Sequence, residues 1–420
     1  MTSETNNSTP GGRTSATARR ACAVTLALLL AGGAALPAAV AADGGRHARQ
    51  AQHPATSARG TLVSLEPVTV LDRAAVTRWL ADKGMATTTV RQGVRAYRLT
   101  YRTLDAYGAP TTATGLFTLP AGGAHRLDVV SDTHGTMVDR TYAPSVGDDF
   151  GRIPSYLYAS STGKAVAAPD YLGLGRGPGT HPYMDTASSV TAAVDMLRAA
   201  REAGRRLDRP LTGDVYATGF SQGGQVATAL GRALRDGAGH GLRLRALAPV
   251  SGPYDLSGQE IPALFDGRVN PVSGVVYTSY FLVAQNRLAP LYRDPAEAFR
   301  APYADRVEAL YDGAHTEEDI VTTLPGSVKE LLTPAFYARM QHPTGALKAA
   351  IDANDHSCAW KPDVPVRLYA GEADTDVPIA NARSCARQLG GAPVLNQGAV
   401  DHFGSFQSAA PKIAAWFRGL

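Results

Sequence analysis

Gly219-Phe220-Ser221-Gln222-Gly223 sets a serine among small residues in a G-x-S-x-G spacing. A strand-like run, residues 214–218, precedes it, and a helix-like run, residues 225–234, follows. A serine on so tight a strand-to-helix turn is lifted clear of the sheet, where its hydroxyl can act as a nucleophile. The turn brings neighbouring backbones almost into collision, which is why small residues flank it. It also leaves the Gln222 N–H at the start of a helix, where it can face a developing negative charge.

A serine hydroxyl is a weak nucleophile at neutral pH and needs a base, and the base needs a group to orient it. Residues 366–370 read as a strand running into Gly371-Glu372-Ala373-Asp374-Thr375-Asp376-Val377-Pro378. An acid just beyond a strand's carboxyl end suits the orienting role. Asp374 is the first choice and Asp376 the reserve, since either can instead cap the following helix. His402, the last histidine, is expected in a loop after a weak strand at 394–396 and just before the C-terminal helix. That order makes it the expected base, with His356 and His134 as competitors. His134-Gly135-Thr136 follows the strand at 127–131, so the Thr136 N–H is expected to pair with that of Gln222 in holding an oxyanion; a plain β-turn is the other account of this segment.

No H-E-x-x-H or paired C-x-x-C spacing occurs, and no G-x-G-x-x-G follows a strand, so neither metal nor other cofactor is expected. The glycine run 173–177 starts no helix directly, which argues against phosphate binding.

The elements that must position these residues alternate. A short helix is expected at 70–82. Strands are expected at 95–107 and 111–119 around a Gly108-Ala109-Pro110 turn, then at 127–131 and 165–168. A helix at 187–203 shows Val190, Ala193, Val194 and Leu197 on one face. The elbow and a strand at 244–250 complete this part. Strands alternating with helices imply a largely parallel α/β sheet, with ligands at the strands' carboxyl ends. From about 256 to 357 the pattern turns helical and aromatic. Asp294-Pro295-Ala296-Glu297 and Thr316-Glu317-Glu318-Asp319 read as helix starts, and residues 327–340 as a third helix. This block is expected to roof the site, with aromatics such as Phe281 and Phe336 on its inner face.

Several strings together resemble the secretory lipases of the lipase A-like type, within the α/β-hydrolases. They are Ala168-Pro169-Asp170-Tyr171-Leu172-Gly173-Leu174-Gly175 with His181-Pro182-Tyr183, Thr133-His134-Gly135-Thr136, the elbow, and a D-x-x-V-P at Asp374–Pro378. The resemblance runs from about Tyr97 to the C-terminus. It implies an α/β-hydrolase fold, a mostly parallel sheet flanked by helices with an inserted helical cap. It also implies ester hydrolysis by Ser221, Asp374 and His402, and places the triad acid on Asp374. No cap residue can be matched, so acyl-length preference is not carried over. A peptidase or an acyltransferase of the same fold, or an inactive binding module, are the alternatives.

Composition agrees with a globular enzyme of this kind. The hydrophobic fraction of 44% is ample for a large core, and the formal charge is +4. Residues 1–41 read as a secretion signal, with Arg19-Arg20, a short apolar run and an A-x-A site at Ala39-Val40-Ala41. Removing them takes away three arginines and one glutamate, leaving +2, which gives no footing for nucleic acid. The expected boundaries are a lead-in at 42–60, core at 61–255, cap at 256–357 and core again at 358–420. In an exported chain Cys358 and Cys385 are expected to form a disulfide. The expected partner is a small or lipid ester, with transient contact between the cap and a lipid interface.

Overall fold

The computed structural model describes residues 58–420; the expected leader and nearly all of the lead-in lie outside the described residues. Two antiparallel hairpin strands follow an edge strand. These are β1 (Leu62–Leu71), β2 (Val94–Leu104) and β3 (Pro110–Pro120), with helix α1 (Arg73–Asp82) between the first two. Asp72 caps α1 by accepting from the Ala75 N–H, so the helix begins after, not within, the Val70 region. β4 (Leu127–Thr133), α2 (Ile153–Thr162), β5 (Ala165–Pro169), α3 (Thr186–Arg206), β6 (Leu211–Phe220), α4 (Gln222–Arg235) and β7 (Arg243–Val250) then alternate. The sheet order is β1-β2-β3-β5-β4-β6-β7-β8-β9, where β8 is Leu368–Ala370 and β9 is Val394–Asn396. Every pairing from β5 to β9 is parallel.

The period-two geometry of β6 shows how both faces are covered. Val215 and Ala217 enter one core with residues of α3 and α4; Tyr216 enters the other with residues of α1, α2 and the C-terminal helix. The glycine run 173–177 wraps a buried carboxylate: Asp170 accepts from the Ser145 N–H (2.9 Å) and the Thr114 hydroxyl (2.6 Å). A Cβ on Gly175, whose φ is +59°, would strike that carboxylate.

Between β7 and β8 the named elements are all helical. The longer ones are α5 (Pro271–Leu288), α6 (Glu317–Thr323), α7 (Pro334–Gln341) and α8 (Gly345–Asp355). They share an apolar core of their own, in which Tyr280, Phe299, Tyr311 and Leu331 are buried. The Leu256 N–H donates to Asp355, which ties the two ends of the insertion together. Three expectations are corrected here. The segment 327–340 is two short helices, because Pro334 cannot continue the first and instead opens the second with Thr333 as its cap. Asp294–Glu297 makes a single turn, Pro295–Ala298. Phe336 packs inside the cap against Tyr292, not toward the site. Beyond the insertion come α9 (Ala380–Gln388) and α10 (His402–Gly419), and Cys358 is joined to Cys385 of α9.

Candidate active site

Ser221 stands at the tip of the β6–α4 turn with φ +57° and ψ −126°, a conformation that L residues rarely hold. Two hydrogen-bond donors keep it there. The Ser221 N–H donates to Val250 O of β7 (3.0 Å), and the Thr133 hydroxyl of β4 lies 2.7 Å from Gly223 O and 3.1 Å from Thr218 O. Side chains at the flanking glycines would not fit: a Cβ on Gly219 would meet Gly223 and Thr133, and one on Gly223 would meet the Thr133 backbone.

The loop after β8 brings Asp374 to His402. Asp374 Oδ2 lies 2.8 Å from His402 Nδ1, while its Oδ1 accepts from the N–H groups of Asp376 (3.0 Å) and Val377 (2.9 Å). With both oxygens engaged, this carboxylate has one orientation. Asp376 takes a different partner, the Tyr277 hydroxyl of the cap at 3.3 Å. His402 is the first residue of α10 and not a loop residue, since Asp401 caps the helix through the Gly404 N–H. Its ring lies against Phe220, with centroids 4.6 Å apart, and its Nε2 is buried without a hydrogen-bond partner among the described residues. His356 ends α8 and is not part of this cluster.

Ser221 and His402 line one cavity of about 530 Å³, together with His134, Gly135 and Thr136. The Gln222 and Thr136 N–H groups donate no hydrogen bond among the described residues. The Thr136 hydroxyl is 2.9 Å from the Tyr183 hydroxyl. Tyr183 stacks on Tyr280 of α5 (4.2 Å), which stacks on Tyr311 (4.5 Å), and Tyr280 donates to Met137 O. The cap thus grips the loop that carries Thr136. His134 is a strut: its two nitrogens lie 2.7 Å from Gly135 O and 3.1 Å from Asp170 O, and its ring lies on Tyr171. Burial pushes its imidazole below the ordinary range. His181 is pushed down to about 3 for the same reason, so its neutral ring donates through Nδ1 to Leu172 O and accepts the Gln222 side-chain amide at Nε2.

A second, mostly apolar cavity of about 100 Å³ also reaches Ser221. Leu256, Ile261, Val269, Phe281, Met340 and Ile351 line it, and Ser221, Thr136 and Tyr277 belong to both cavities. Two carboxyls in these walls were invisible in the sequence, being isolated acids in no motif. Glu260 lines the apolar cavity, bonded by Asn381 (2.7 Å), and burial raises it to about 8, helped by the nearby Asp374 and Asp376. Asp132 lines the larger cavity; burial alone raises it to about 8, and its Oδ2 has no partner. Among the described residues no cluster of His, Cys, Asp and Glu could hold a metal ion, and no helix is long and apolar enough to cross a membrane.

No protein-family model matches the chain, and no curated protein matches it in sequence. Solved structures do. A Legionella pneumophila protein with a provisional hydrolase assignment superposes with a TM-score of 0.79 at 25% identity, over 85% of this chain and 97% of that one. The rice cell wall degrading esterase LipA from Xanthomonas oryzae gives a TM-score of 0.74 at 28% identity, over 86% and 97%. The fold is that of the α/β-hydrolases. Candida antarctica lipase A in its closed state shares that fold at a TM-score of 0.59 and 15% identity, over 83% of this chain and 79% of that one.

Proposed function

We propose that this protein is a secreted serine carboxylic-ester hydrolase of the secretory-lipase type, acting through Ser221, His402 and Asp374. The observation that carries the reading is the Asp374–His402 bond, made through Nδ1, which leaves Nε2 free on the cavity that Ser221 shares. In that tautomer Nε2 accepts the Ser221 proton as Oγ attacks the ester carbonyl. The imidazolium then forms beside a carboxylate already fixed to receive it. The N–H groups of Gln222 and Thr136 receive the oxyanion, each donor worth about 3–4 kcal/mol in the transition state. The C–O bond breaks, the alcohol leaves with the proton from Nε2, and water repeats the sequence on the acyl-enzyme.

The acyl group is assigned to the apolar cavity. At about 100 Å³ it is smaller than the roughly 150 Å³ engineered cavity that accepts benzene, so acyl chains of a few carbons fit best. The disulfide and the leader both support export. A fluorophosphonate probe should label Ser221, and Ser221→Ala should lose the label and nearly all turnover of p-nitrophenyl butyrate. Turnover of aminoacyl anilides in place of p-nitrophenyl esters would install a peptidase instead. Faster transfer to added alcohol than to water would install an acyltransferase.

A further inference from the structure

We propose that the cavity on the His402 side receives an alcohol leaving group that carries an ammonium charge. This rests on the ester-hydrolase reading. In that reaction the Ser221 Oγ–acyl bond forms, the acyl–alkoxide bond breaks and the His402 Nε2 proton passes to the alkoxide, so the leaving oxygen must lie on the histidine side. His402 lines the larger cavity and not the apolar one. The alcohol therefore meets the residues of that larger cavity.

Those residues are acidic and aromatic. Asp132, Asp149, Glu317 and Glu318 line it, and no lysine or arginine does. Lys83 pairs with Asp149 at 2.8 Å, which neutralises that one. Among the described residues Glu317, Glu318 and the nearby Asp376 form no ion pair. Thr316 and Asp319 complete the capping box of α6 between themselves, so the fold does not need Glu317 and Glu318 for that cap. The independent observation is at the floor. Asp132 is 3% exposed, belongs to the cavity wall and has an Oδ2 with no partner. Left unpartnered this buried carboxyl keeps its proton, and a cationic occupant would let it ionise and pair. Tyr142, Phe150, Tyr277 and Phe403 are among the aromatic residues of the lining, and aromatic faces attract a quaternary ammonium.

The test uses three butyrate esters of matched size on the full-length mature protein. Their alcohols are choline, 3,3-dimethylbutanol and 2-hydroxyethanesulfonate. Glu317 and Glu318 are exposed, so water screens them and the preference is modest. The expected kcat/KM for the choline ester is about tenfold above the neutral isostere at low salt, with the sulfonate below both. The advantage should lie in KM and shrink by 0.5 M salt, where the Debye length is well below its roughly 10 Å value at 0.1 M. Glu317→Gln with Glu318→Gln should bring the choline-to-isostere ratio toward one, with Tm as the check on folding. A wild-type ratio of one or less overturns the proposal, as does a ratio that survives both high salt and the double substitution. If p-nitrophenyl butyrate is not turned over, the hydrolase reading fails by itself. Calorimetric binding of choline against 3,3-dimethylbutanol then decides the cavity's preference: tighter choline supports it, equal binding refutes it.

Discussion

Asp374 touches His402 through Oδ2 and its own loop through Oδ1, while Asp376, two residues on, turns to the cap and takes Tyr277. The two acids of D-x-x-V-P are thereby divided between orienting the histidine and fastening the cap. Which does which is decided by the two backbone N–H groups that point at Asp374.

Replacing Asp374 with Asn should lower kcat on p-nitrophenyl butyrate by about 10⁴-fold with the fold intact, since the amide favours the wrong imidazole tautomer. Asp376→Asn should cost less than about tenfold, because only a 3.3 Å bond to Tyr277 weakens. Steady-state kinetics on both variants decides the ranking, and the reverse order moves the orienting role to Asp376.

Phe281 and Phe336 are both cap aromatics, yet one faces the acyl cavity and the other the cap interior. Phe281→Ala should enlarge that cavity and move the preferred acyl chain to longer esters, each newly buried CH₂ contributing about 0.8 kcal/mol. Phe336→Ala should leave chain-length preference alone and destabilise by about 3–5 kcal/mol. An ester series from acetate to decanoate, run beside thermal melts, separates the two.

The reasons some parts were legible in the sequence and others were not are local. The elbow could be read because its geometry forbids side chains at Gly219 and Gly223, so the constraint is written in residue types. β1 was missed because Pro67 interrupts its pattern; the strand is an edge strand, and its register shifts beside that proline. α2 was missed because it is buried all round, from Ile153 to Ser161, and so lacks the polar face that would show a helical period. α5 is likewise buried over most of its length. Tyr183, Glu260, Asp132 and Glu317 reach the site through tertiary packing, and no spacing in the chain connects them.

Asp132 sits in the sheet with its carboxyl raised from 3.8 to about 8 by burial. The folded state therefore holds a proton that the unfolded chain has released between those two values, and stability should fall as pH rises across that window and level off above it. Asp132→Asn removes that slope. The Tm of the variant relative to wild type should climb between about pH 4 and 8 and then stay constant. A difference that does not change with pH would mean the carboxyl is ionised at neutral pH.

Glu260 brings the same chemistry into the acyl cavity itself. It is raised from 4.5 to about 8 by burial and by the neighbouring Asp374 and Asp376. Below that value the wall is neutral and accepts an apolar chain. Above it a charge appears beside Leu256 and Ile261, and the chain must displace water from it. The KM for p-nitrophenyl butyrate should accordingly rise as pH passes about 8, with a smaller rise for acetate, whose methyl fills less of the cavity. Glu260→Gln keeps the shape and the Asn381 bond to the side-chain oxygen but cannot ionise, so the alkaline rise in KM should vanish while kcat below pH 8 stays that of wild type. Wild type and variant with the same KM profile from pH 6 to 10 would place the acyl chain away from Glu260, and with it away from the apolar cavity.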